Sequence, residues 1–233
     1  MFFDQKIHPL NFDIPEHFTV DADAVELSGP GVQLRVRCAE IIKGCLRLRF
    51  ENAQVSDGRQ LSDAVLPEYR SGRPAAPRED GDVAVFATAE ARVELSAASL
   101  QLDLAGFSLR TAATGIGGCG EALLLNFDLS AVDGCYGFGE RTKHLNKLGD
   151  SVECLTIDVV AIFRHTYARD DFDPTYVAIP LAILKSGERF LGLFFDNPSH
   201  AIMDAGQSQP GEFWYQSLSG NTDLYLLAGP SLA

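Results

Sequence analysis

Long apolar runs are missing from this 233-residue chain: no stretch reaches about 18 apolar residues, so no membrane-spanning helix is expected. Nor does Met1-Phe2-Phe3-Asp4-Gln5-Lys6 read as a secretory leader, because Asp4 arrives before an apolar core can build. Positive charge is scarce as well. Lys and Arg number 19 against 32 Asp and Glu, a net charge of -13, so contact with a phosphate backbone or an anionic membrane would add repulsion. No nucleic-acid or membrane partner is expected, while neutral ligands remain allowed. No cysteine pair forms a C-x-x-C and no histidine stands at zinc spacing from one, so no metal is expected. The cysteines, Cys38, Cys45, Cys119, Cys135 and Cys154, are odd in number and read as free thiols of a reducing compartment. A cytoplasmic location follows.

Helical periodicity is absent before residue 131. What is present is period two. Val32, Leu34, Val36 and Cys38 alternate with Gln33, Arg35 and Arg37, and Leu46, Leu48 and Phe50 share one strand face while Arg47 and Arg49 share the other. Such alternation predicts antiparallel strands with one wet face. The run Arg70 to Asp82, with Gly72, Pro74, Pro77 and Gly81, reads as a surface loop within one domain, because alternation resumes at Val83. Residues 1–17, with Pro9 and Pro15, read as an arm lying on a sheet, anchored by Phe2, Phe3 and Phe12. Further strands are expected at Glu212-Phe213-Trp214-Tyr215-Gln216 and at Asp223-Leu224-Tyr225-Leu226-Leu227-Ala228. Many short strands with Gly and Asp turns predict an all-β sandwich.

Two glycine motifs invite a phosphate-binding reading and fail it. Gly115-Ile116-Gly117-Gly118-Cys119-Gly120 has the G-x-G-x-x-G spacing, but the alternating Leu123, Leu125 and Phe127 leave no room for a crossover helix, so a glycine-rich hairpin loop is expected. Gly137-Phe138-Gly139-Glu140 lacks a following Lys-Ser or Lys-Thr. Its glycines fit close backbone passage or positive φ. Between Thr142 and Thr175 the chain is too polar for core and too long for an ordinary hairpin, which predicts a functional loop. Its acids Asp170, Asp171 and Asp173 have no EF-hand spacing.

In series, Tyr136-Gly137-Phe138-Gly139-Glu140, Leu145-Asn146-Lys147-Leu148-Gly149, Asp173-Pro174-Thr175-Tyr176-Val177-Ala178-Ile179-Pro180, Gly192-Leu193-Phe194-Phe195-Asp196-Asn197-Pro198 and Asp223-Leu224-Tyr225 with Gly229-Pro230-Ser231 resemble the N-terminal domain of glycoside hydrolase family 31, the α-glucosidase and α-xylosidase family. The resemblance covers roughly the last hundred residues. It implies an antiparallel β-supersandwich of galactose-mutarotase type over 1–233, with 142–175 projecting toward a catalytic (β/α)8 barrel. Members draw both catalytic aspartates from the barrel, and the nucleophile pattern Trp-x-Asp-Met-Asn-Glu is missing here. The resemblance therefore implies no catalytic residue and no cofactor in this chain.

The family pattern Trp-Asn-x-Asp in that loop is matched by Leu155-Thr156-Ile157-Asp158, which keeps the acid and loses the tryptophan and asparagine. Asp158 is thus the first candidate for substrate contact, with Arg164 and Asp170 as further candidates that could pair with each other or with sugar hydroxyls. The implied function is that of a non-catalytic N-terminal domain of a retaining α-glycosidase. Its partners would be that barrel, within one chain, and an oligo- or disaccharide with α-linked glucose or xylose. The alternative is a self-contained carbohydrate-binding module or mutarotase-like epimerase, which would need a histidine and a carboxylate converging in one cleft.

Overall fold

The computed structural model describes residues 12–56, 64–141, 144–155 and 177–229. They form two antiparallel sheets packed face to face. The first sheet runs, edge to edge, through β1 (His17–Val20), β2 (Val25–Gly29), β3 (Val32–Ile42), β4 (Cys45–Asn52), β18 (Thr222–Gly229), β15 (Arg189–Asp196), β14 (Ala178–Ser186) and β12 (Gly134–Gly139), with β5 (Arg73–Ala75) paired to β3. In the second the order is β13 (Ser151–Cys154), β16 (Ala201–Asp204), β17 (Glu212–Ser217), β11 (Ala122–Asp128), β10 (Phe107–Cys119), β9 (Leu100–Leu104), β8 (Ala91–Leu95), β7 (Val83–Ala87) and β6 (Arg78–Asp80). The period-two residues meet between the sheets. Leu34, Val36, Leu46, Leu48 and Phe50 come from one side and Leu123, Leu125 and Phe127 from the other, all in a single buried cluster. The all-β supersandwich expected from the sequence is the fold observed.

Several local expectations are altered by packing. Residues 70–82 are more than a surface loop: β5 pairs with β3 in the first sheet and β6 with β7 in the second, so the segment crosses from one sheet to the other. Strands of three residues tolerate Pro74, which has no N–H to donate, because so short an edge needs few ladder bonds. The stretch 142–175, expected as loop, contains β13, which pairs with β16 from Ser151↔Asp204 to Cys154↔Ala201 and forms an edge of the second sheet. Of the G-x-G-x-x-G glycines, Gly115, Gly117 and Gly118 lie inside β10, and the hairpin is confined to the step from Cys119 to its partner Ala122. The arm explains them. Asp13 and Gly118 exchange backbone hydrogen bonds of 2.8 and 2.9 Å, and a Cβ on Gly117 would stand 3.2 Å from the Cβ of Phe12. Phe12 itself is buried against Leu124 and Trp214 on the outside of the second sheet, as an arm anchor should be.

β12 bears out the structural reading of its glycines. Gly137, Phe138 and Gly139 all have positive φ, at 109°, 69° and 82°, and the register with β14 shifts between the two glycines. That irregularity breaks strict alternation and turns Phe138, 1% exposed, into the core. A Cβ on Gly137 would run into the carbonyl oxygen of Leu181. Gly137→Ala is therefore expected to cost about 2 kcal/mol, from left-handed strain together with the displaced strand. Equilibrium urea unfolding checks it; a loss under about 0.5 kcal/mol would show that β12 relaxes without strain.

Candidate functional site

Asp158, Arg164 and Asp170 lie outside the described residues, so the structure gives no geometry for them. It does fix the two roots of their segment. Cys154 pairs with Ala201 in the second sheet, and Ala178 pairs with Gly139 in the first, so the chain leaves one sheet before Thr156 and rejoins the other after Tyr176. Both roots open on one cleft of about 420 Å3, whose described lining includes Leu155, Ile179, Phe194, Asp196, Asn197 and His200. The lining is apolar and aromatic on the strand side and polar along the turn after β15.

That turn is held by Asn197. Its Nδ2 donates to the Ser219 carbonyl at 2.9 Å and to Thr222 Oγ1 at 3.0 Å, while its Oδ1 accepts the Ser199 N–H at 2.8 Å. A side chain that satisfies its own turn and a neighbouring strand end fixes the turn that links Asp196 to His200. His200 Nε2 is shielded from solvent and has no hydrogen-bond partner among the described residues.

Beside the cleft lies a cluster that the sequence hides. In register across three strands stand Arg49, Asp223 and Asp196, flanked by Arg47 and Tyr225 in the next row. Arg49 Nη1 donates to the two carboxylate oxygens of Asp223 at 3.3 and 3.2 Å, and Arg47 Nη1 lies 3.9 Å from Oδ2. Burial pushes the Asp223 carboxyl up from its ordinary value, and the two arginines pull only part of the way back. Burial likewise pushes the Tyr225 hydroxyl up to about 12. The alternation of Arg47 and Arg49 predicts a wet face, yet their side chains are only 15% and 19% exposed. Residues 64–72 form a strap on this side of the first sheet. Ala64 lines the cleft, Arg70 sits close enough to Tyr225 to act on it electrostatically, and Gly72 abuts Ile41 and the Glu40 carbonyl. Sequence signals for the cluster existed, an Arg-x-Arg strand and a terminal Asp-x-Tyr, but nothing local joins residues 174 positions apart.

Asp223 spends its oxygens on Arg49 and is 1% exposed, so it is not free to attack or protonate a glycoside, a reaction that needs two carboxyl groups flanking the sugar. Four of the five thiols, Cys38, Cys45, Cys135 and Cys154, are buried, and none of the five is in a disulfide among the described residues. Burial raises those of Cys38 and Cys135 to about 12 and that of Cys45 to about 11, far from the thiolate form a nucleophile requires.

Comparison with known proteins adds kinship to this geometry. The sequence model of the glycosyl hydrolase 31 N-terminal galactose mutarotase-like domain matches residues 34–204. Alpha-glucosidase 2 of Bacillus thermoamyloliquefaciens is 30% identical over 103 residues, which is 44% of this chain and 12% of that protein. Among solved structures, the GH31 dextranase of Flavobacterium johnsoniae in complex with isomaltotriose superposes with a TM-score of 0.70 at 18% identity, covering 93% of this chain and 26% of that one. The cycloalternan-forming enzyme of Listeria monocytogenes gives 0.67 at 15% identity, over 94% and 21%. A GH31 alpha-xylosidase from a soil metagenome, complexed with xylose, gives 0.62 at 15% identity, over 92% and 32%. The chain thus spans about a quarter of the length of these solved relatives and about an eighth of the alpha-glucosidase.

Proposed function

Because the chain belongs to the glycosyl hydrolase 31 N-terminal galactose mutarotase-like domain family, we propose that it serves as the accessory N-terminal domain of a retaining α-glycosidase, seating the catalytic barrel and lending a loop to its sugar subsites. The observation that carries the loop's part in this is the pair of roots, Leu155 and Ala178, opening on one cleft at one end of the sandwich. A segment rooted in both sheets is anchored at both ends, which suits one that must hold position against a partner. The substrate would be an oligo- or disaccharide with α-linked glucose or xylose, in keeping with the isomaltotriose and xylose bound by the dextranase and the xylosidase. A cytoplasmic location belongs to the same reading, since five cysteines with no disulfide among the described residues suit a reducing compartment.

Assays of the 233-residue chain on aryl α-glucosides and α-xylosides are expected to show no turnover above buffer. A rate removed by replacing one acid of this chain would overturn the reading. A second reading, a self-contained sugar-binding module or mutarotase-like epimerase, draws on His200 and Asp196 lining one cleft. Against it, Asp196 is 1% exposed, leaving its carboxylate out of a sugar's reach. Polarimetry on fresh glucose separates the two: accelerated anomer interconversion would select the epimerase.

Asp158 carries the substrate prediction. In the full-length enzyme, Asp158→Asn is expected to remove a charge-assisted hydrogen bond of about 1.5–3 kcal/mol. That corresponds to a fall of roughly ten- to hundredfold in kcat/KM, with the urea midpoint unchanged. Unchanged kinetics would take Asp158 out of the site, and a lost midpoint would make it a structural residue. Arg164 and Asp170 are to be tested after it, on the same two readouts.

A further inference from the structure

Two sheet edges meet beside the cleft. β12 stands at the end of the first sheet's strand order and β13 at the end of the second's. Arg141, directly after the irregular end of β12, joins them. Its Nη2 donates to the Glu153 carbonyl on β13 at 2.7 Å and its Nη1 to the Glu140 carbonyl at 3.2 Å. The N–H of Glu140 donates in turn to the Val177 carbonyl at 2.9 Å, just ahead of β14. One dipeptide therefore holds both roots, the strand that ends before Leu155 and the residue that opens the return to the first sheet. A planar guanidinium can serve two carbonyls at once, which the single ammonium of a lysine cannot do in the same geometry. Arg141 is half-buried and its Nε is shielded from solvent, conditions in which charge-assisted bonds are strong.

We propose that Arg141 is a positioning residue, which fixes the separation of the two walls of the 420 Å3 cleft, Cys154 and Leu155 on one side and Ala178 and Ile179 on the other. The inference rests on the accessory-domain reading above, in which the chain between these walls serves the sugar subsites. Two further observations point to this role. β13 is four residues long and β16 is its one strand neighbour among the described residues, so its own ladder is a weak hold and the Arg141 bond adds a second. The positive φ of Gly137, Phe138 and Gly139 is backbone strain placed directly ahead of the clasp, as at a bulge that re-aims a side chain. A Cβ on Gly139 would run into the Val177 carbonyl oxygen, so the close approach that brings Glu140 to that carbonyl needs glycine there. Arg141 itself takes no part in the buried cluster between the sheets, so its loss should loosen the cleft without unfolding the sandwich.

Hydrogen exchange on the 233-residue chain reads the clasp, and kinetics of the full-length enzyme read its consequence. Arg141→Met keeps the stem and removes the donors. Amide exchange over 151–155 and 177–180 is expected to rise about tenfold or more, with exchange over 100–110 in the second sheet unchanged. In the full-length enzyme kcat/KM should fall roughly ten- to hundredfold at an unchanged urea midpoint, and Arg141→Lys should recover part of the loss. Unchanged exchange at both roots would overturn the clasp. A midpoint lost together with activity would make Arg141 a residue of the fold and overturn the positioning role. Unchanged kinetics for Arg141→Met, with Asp158→Asn impaired, would overturn the proposal and leave the accessory-domain reading in place. Unchanged kinetics for both variants would remove the loop's part in the subsites, and the proposal with it.

Discussion

Phe213→Ala is expected to lower the unfolding free energy by about 3–5 kcal/mol, a large part of the roughly 5–15 kcal/mol that a domain has in total. Phe213 is fully buried on β17, and its ring meets those of Phe127, Phe138 and Phe195 at centroid distances of 6.4, 6.4 and 6.2 Å. Phe127 belongs to its own sheet, while Phe138 and Phe195 come from the opposing one, so a single ring joins both layers. Phe195 in turn stacks on Tyr215 at 3.9 Å with the planes 7° apart. Between two sheets whose spacing is set by many other contacts, the space left by a lost ring cannot collapse, which places the cost near the upper part of the range. Urea unfolding should show a lower midpoint with an unchanged slope, and the thermal midpoint should fall by roughly 6–20 °C. Phe195→Ala and Phe213→Ala together should cost less than the sum of the two, because they empty one shared space. A loss below about 1 kcal/mol for Phe213→Ala would mean that the sheets close over the gap.

The sandwich was legible because its information is local and repeated. Val32 to Cys38 and Leu46 to Phe50 alternate over enough residues to fix which face is buried, and Phe213 and Leu224 fall within strands expected at their positions. What was not legible depends on contacts between distant segments. Gly115 to Gly118 resemble a loop until the arm is laid across them, and Arg47 and Arg49 resemble solvent-facing residues until the strap covers their face. β13 is four residues long, with Val152 and Cys154 as its alternating pair, too brief a pattern to stand out from a polar stretch. For the site, Asp158, Arg164 and Asp170 lie outside the described residues, while Asp196 and Asn197 of one family motif line the cleft. The buried arginine and aspartate cluster beside it has no motif, since it arises from strands β4 and β18 that meet only in the fold.

That cluster yields the other large effect. Arg49→Met keeps the aliphatic stem of the side chain but withdraws the guanidinium from Asp223, leaving the carboxylate, 1% exposed, with Arg47 more distant at 3.9 Å. Breaking a buried pair from one side leaves an uncompensated charge, and about 3–5 kcal/mol at neutral pH is the expected loss. The sign of the pH dependence follows from Asp223. Its carboxyl is raised in the folded state above the ordinary 3.8, so the folded protein holds that proton more tightly than the unfolded chain does. The destabilisation from its charged form therefore grows as pH rises from the unfolded value through the folded one, and it is relieved as pH falls back. Losing Arg49 raises the folded value further and widens that window, so the Arg49→Met penalty should be greatest near neutrality and shrink in acid. Asp223→Asn, in contrast, removes the buried charge together with its penalty and should cost less than about 1.5 kcal/mol. Adding it to Arg49→Met should recover most of the loss, a coupling that a double-mutant cycle of urea midpoints at pH 7 and pH 4.5 measures directly. Additive costs, or an Arg49→Met penalty that does not change with pH, would show that Arg49 acts through Glu51, whose Oε1 its Nε contacts at 3.0 Å, and not through Asp223.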